Sequence, residues 1–118
     1  IECRLYAEKP EKNFIPSPGH LKVLRLPRPS DAIRIEASYT EGDTITPFYD
    51  PMIAKIITFG GDRSHAIQKM LSALEQCQIE DVATNLALLK AILKDPAFKD
   101  ARANTTYLEK NITTLMGL

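Results

Sequence analysis

The sequence predicts an α+β fold: a mainly antiparallel sheet from the N-terminal half, then two to three helices from the C-terminal half. Three observations lead there. Apolar and polar residues alternate at period two in several stretches of the first half. Residues 52–59, MIAKIITF, are nearly continuously apolar, as a strand covered on both faces would be. Beyond Gly60 and Gly61 the apolar spacing lengthens to three and four, that of a helix face. Strands first and helices afterwards suit an α+β arrangement.

The elements follow in order. Ile1, Cys3, Leu5 and Ala7 fall on one face, and Glu2, Arg4, Tyr6 and Glu8 on the other, so residues 1–7 form a half-buried strand. Residues 9–19 contain Pro10, Pro16, Pro18, Asn13 and Gly19 and make a loop. Residues 21–26 form a second strand, closed by the turn at Pro27 and Pro29, since proline donates nothing to a ladder. Residues 33–39 alternate again, residues 41–43 (EGD) reverse the chain, and residues 44–46 extend it briefly. Asp62 or Ser64 caps a helix carrying Ile67, Met70, Leu71 and Leu74. Thr84 caps a second, with Leu86, Leu89, Ile92 and Leu93 on one stripe, ended by Asp95-Pro96. Thr105 or Thr106 opens a last short helix through Leu108 and Ile112.

A chain of 118 residues has the size of one domain with one core, residues 1–118. It opens without methionine, already in strand-like alternation, and is expected to be a piece of a longer polypeptide. The formal charge is zero and aromatic residues make up only 7%, which argues against a nucleic-acid platform. No apolar run approaches the roughly 20 residues that span a bilayer, and nothing reads as a leader. Cys3 and Cys77 are read as reduced core residues in a cytoplasmic setting, with a bridge between them left open.

Few motifs carry chemistry. There is no GxxxxGK[ST] and no GxGxxG; Gly60-Gly61 reads as a tight turn. His20 and His65 lack metal-ligand neighbours and read as surface residues, and no metal site is expected. Ser17, between prolines, lacks a nucleophile elbow. Three residues remain. Arg4 is either half of a cross-ladder ion pair with Glu2 or a guanidinium aimed at an oxygen that gains charge, and spacing alone favours the ion pair. Asp50 either caps a turn or fixes an arginine, and the turn leads. Lys55 interrupts an apolar strand, so its amine must reach water or a partner.

Taken together and in order, IECRLYAE, FIPSPG, YTEGDTITPFYDPMIAK, GDRSHAIQKMLSAL, ATNLALL and TTYLEKN resemble the C-terminal domain of biotin carboxylase. That enzyme is the ATP-grasp component of biotin-dependent carboxylases such as acetyl-CoA carboxylase. The resemblance implies ATP-, Mg2+- and bicarbonate-dependent carboxylation of biotin held on a carrier protein. It places Arg4 against the ureido oxygen of biotin, as both biotin-binding and catalytic residue. It implies that ATP, Mg2+ and bicarbonate bind to an ATP-grasp remainder outside these residues, so that the chain alone is inactive. It also implies a possible homodimer with Arg34, Tyr49 and Asp50 at the interface. Pro29-Ser30-Asp31-Ala32 stands where relatives often have a Gly-Gly-aromatic-Gly turn, and Asp31 weighs against that dimer. Asp81 replaces an expected glycine before ATN, implying a turn variant. Another ATP-grasp ligase with a structural or dimerisation cap is the alternative, and the final carboxyl acceptor is set elsewhere.

Overall fold

The computed structural model describes all 118 residues. In chain order they form β1 (Glu2–Tyr6), β2 (Glu8–Lys9), a short 3-10 helix (Pro10–Lys12), β3 (Ile15–Pro16), β4 (Gly19–His20), β5 (Val23–Arg25), β6 (Ile33–Ala37) and β7 (Thr44–Ile45). Then come β8 (Met52–Thr58), α1 (Arg63–Glu75), β9 (Gln78–Glu80), α2 (Leu86–Lys94), α3 (Pro96–Lys99) and α4 (Tyr107–Leu115).

The α+β class stands: every strand pair is antiparallel, and four helices follow, the extra one being the four-residue α3. The sheet is divided. β1, β8 and β6 make a three-stranded sheet with the apolar β8 in the middle, and β2–β3, β4–β7 and β5–β9 make two-stranded ones.

Register explains the burial. Cys3, Ile56 and Ile35 lie abreast across the large sheet and face α1 and α2, packing with Ile67, Met70, Ala73, Leu74 and Leu93. A second cluster gathers Leu5, Ala7, Leu21, Leu24, Ile45, Ile53 and Ala54 where the small sheets meet the large one. Leu86 and Leu89 of α2 touch both clusters and join them.

Several boundaries differ from the sequence reading. Residues 9–19 hold β2, the 3-10 helix and β3, because Ala7 and Lys9 accept from the Ser17 and Phe14 amides and draw the excursion back on itself. The second strand keeps only Val23–Arg25, since the Leu21 amide donates to Asp43 instead of to a partner strand. β9 was not anticipated; three residues with one apolar side chain give too little periodicity, and the pairing with β5 is long-range.

Helix starts can be assigned. Asp62, not Ser64, is the N-cap of α1: its Oδ1 accepts from the His65 amide at 2.8 Å. Gly60 sits so close to this helix that a Cβ would lie 2.5 Å from the Ala66 nitrogen, which is why glycine occupies the turn. Thr106 is the N-cap of α4. For α2 the N-cap is Asn85 and not Thr84, although the Thr84 hydroxyl accepts from the Leu86 amide at 3.3 Å. Asp81 has φ 75, the left-handed conformation that glycine adopts freely, so aspartate fills a glycine-like position in the turn before ATN.

Candidate functional site

The sheet face opposite α1 carries the charge. Because paired residues share a face, Arg4, Lys55 and Glu36 form one row across β1, β8 and β6, and Glu2, Ile57 and Arg34 form the next. Three cations thus stand among two carboxylates, with Arg4, Arg34 and Glu2 exposed and Lys55 and Glu36 half-buried.

Glu2 and Glu36 organise the cations. The Arg4 Nε donates to Glu2 Oε2 at 2.9 Å, and the Arg4 side chain remains 58% exposed. Its two terminal nitrogens make no hydrogen bond, so four of the five N–H donors of the guanidinium are free to meet an acceptor. The Glu2 hydrogen bond and charge hold the Arg4 pKa above its already high ordinary value. Arg34, also exposed, pairs with Glu36 Oε1, while the second Glu36 oxygen lies 3.7 Å from Lys55 Nζ. Lys55 therefore reaches both water and a carboxylate, as an amine in an apolar strand must.

β1 is an edge strand, and its outer edge is held from the side. Asn85, 6% exposed, donates through Nδ2 to the Arg4 carbonyl at 3.0 Å and accepts through Oδ1 from the Tyr6 amide at 2.8 Å. The Asn85 amide donates to the Tyr6 carbonyl at 3.2 Å. An asparagine at an N-cap ordinarily accepts from its own helix, which is worth about 1 kcal/mol; here the carboxamide makes no such bond. Sequence reasoning misses Asn85, because an asparagine beside a threonine ahead of an apolar stripe points to a helix start and not to a strand edge.

The other sequence candidates lie apart. Asp50 is exposed, and its Oδ1 accepts from the Met52 amide at 3.0 Å: it caps the turn into β8 and makes no bond to Arg4. Phe48 and Tyr49, 86% and 76% exposed, project from the same turn. An open cavity of about 480 Å3 beside them is lined by Tyr39, Thr46, Tyr49, Asp50 and Met52 among others. Ser17 is buried and accepts from the Ala83 amide at 3.0 Å, which makes it a clamp between the β3–β4 connection and the approach to α2. His20 and His65 are exposed. Cys3 and Cys77 are free thiols, both pushed up to about 11, chiefly by burial, and so poor nucleophiles. No group of three His, Cys, Asp or Glu is placed to hold a metal ion, and no helix is long and apolar enough to cross a membrane.

This fold and sequence match a known family model, the biotin carboxylase C-terminal domain, over residues 2–110. The chain belongs to that family. It is 41% identical over 117 residues to the biotin carboxylase of Halalkalibacterium halodurans, covering 99% of this chain and 25% of that protein. It is 36% identical to the mitochondrial methylcrotonoyl-CoA carboxylase subunit alpha of Dictyostelium discoideum, covering 98% of this chain and 17% of the relative. Among solved structures, the biotin carboxylase domain dimer of Hydrogenobacter thermophilus 2-oxoglutarate carboxylase, in complex with MgADP, ADP and bicarbonate, superposes with a TM-score of 0.91. The two are 39% identical, over 97% of this chain and 25% of that one. The chain thus spans about a quarter of the length of each of these two bacterial proteins.

Proposed function

We propose that this domain contributes to ATP- and bicarbonate-dependent carboxylation of biotin on a carrier protein, with Arg4 as the residue that meets the biotin. The carrying observation is a guanidinium that is fixed at Nε by Glu2 yet exposed, with both terminal nitrogens unengaged. Those nitrogens fit the ureido oxygen of biotin: N–H donors in a planar, permanently charged fork. Bound there, biotin would present a ureido oxygen on which negative charge grows as the adjacent nitrogen is made nucleophilic. Arg4 is held ready for that charge, and an interaction that strengthens with it lowers the barrier more than it tightens the ground state.

ATP, Mg2+ and bicarbonate are assigned to an ATP-grasp remainder of a longer polypeptide, in which residues 1–118 act as one domain; by itself the chain is inactive. The carrier protein is the partner that brings biotin to the charged face. Arg34, Tyr49 and Asp50 are assigned to contacts with a second copy, on the strength of their exposure and of the dimeric relative. Two free cysteines suit a reducing compartment such as the cytoplasm.

The test is Arg4→Ala in the complete enzyme. Biotin carboxylation should fall about 10²–10³-fold, the usual effect of removing one preorganised donor, while ATP binding changes little. If the domain provides only packing or dimer surface, the variant turns over normally and the reading fails.

A further inference from the structure

We infer that Asn85 is a positioning residue for Arg4. The inference rests on the assignment of Arg4 to the biotin site. An edge strand leaves a row of amides and carbonyls without partners, and its backbone is the least constrained in a sheet. β1 has this problem at the place where Arg4 must be aimed: its outer edge faces away from β8, and its pairing with β8 slips between Leu5 and Tyr6. Asn85 takes the position of a missing neighbour strand. Its carboxamide donates to the Arg4 carbonyl and accepts from the Tyr6 amide, and its own amide donates to the Tyr6 carbonyl.

Three further features show that the site is built for this. Asn85 is buried, so its amide is not exchanging partners with water. It forgoes capping its own helix: its side chain accepts from none of the first-turn amides of α2. The Leu89 amide donates to the Asn85 carbonyl, so the residue is locked to the first turn of α2 while it holds β1. A local rule broken at a buried residue, with the freed group directed to the backbone of a reactive side chain, is the pattern of a supporting residue. The guanidinium is thereby referred to the helix layer through three main-chain hydrogen bonds, one of them on Arg4 itself.

The test is a double-mutant cycle in the complete carboxylase. Asn85→Ala should lower kcat for biotin carboxylation about tenfold or more, since small displacements of a charged donor are costly in rate, with KM for ATP unchanged. In an Arg4→Ala background, Asn85→Ala should remove less than about a further twofold, because it acts through the group already deleted. Asn85→Asp keeps the acceptor for the Tyr6 amide but loses the donor to Arg4; it should fold and show the same coupling, and it carries the test if Asn85→Ala does not fold. Equal losses with and without Arg4, or unchanged kcat in Asn85→Asp, would overturn the positioning role. Normal turnover of Arg4→Ala alone would instead overturn the assignment of Arg4.

Discussion

The two faces of the β1–β8–β6 sheet are made by alternate residues of the same three strands, and they divide the labour of the domain. On the inner face Cys3, Ile56 and Ile35 lie abreast and pack against α1 and α2. One residue along, Arg4, Lys55 and Glu36 lie abreast on the outer face, Arg4 exposed and the other two half-buried. A one-residue slip would exchange the two sets, so burial of the inner row fixes where the outer charges stand. Stability resides on one side, and the other is free to be selected for charge. That division explains how an exposed arginine can be placed reproducibly without being buried.

The division can be broken first from the inside. Ile56 is fully buried at the centre of the first core cluster, so Ile56→Ala should cost about 2–5 kcal/mol. Chemical denaturation would read this as a lower midpoint at unchanged slope.

Alkaline titration sharpens the same contrast. Burial raises the Cys3 thiol from 9.0 to about 11. A folded-state pKa above the unfolded value gives a contribution that is full below pH 9.0 and is lost as pH rises towards 11. The expected loss is about 3 kcal/mol, and Cys3→Ala should remove that share of the alkaline fall while Cys77, raised likewise, keeps its own.

The outer face should respond least. Glu36 holds Arg34 and Lys55 in a solvent-exposed network, so Glu36→Gln should change stability by less than about 1 kcal/mol. A large loss in thermal melts would mean that this face is structural after all.

What could be read from the sequence follows from the range of each interaction. The period-two run of residues 1–7 and the apolar run of residues 52–59 gave β1 and β8 correctly, because alternation and burial are written locally. Asp62 could be named as a cap candidate for the same reason. Arg4 could be singled out, and even its partner Glu2, since the pair is two residues apart on one strand. The partition of the sheet into small pieces could not, because Leu24 meets Ile79 and Gly19 meets Ile45 across long stretches of chain. Nor could the clamp of Asn85 on β1, whose two ends are some eighty residues apart. Asp50 could be read as a turn cap ahead of an arginine partner, since its short side chain reaches only the nearby Met52 amide.

The central claim is that the Arg4 charge acts mainly when negative charge has developed on the biotin oxygen. The most direct measurement is steady-state kinetics of Arg4→Ala in the complete enzyme with biotin as the varied substrate. An interaction made chiefly in the transition state lowers kcat and kcat/KM together, here by about 10²–10³-fold. A rise in KM for biotin with kcat unchanged would contradict it.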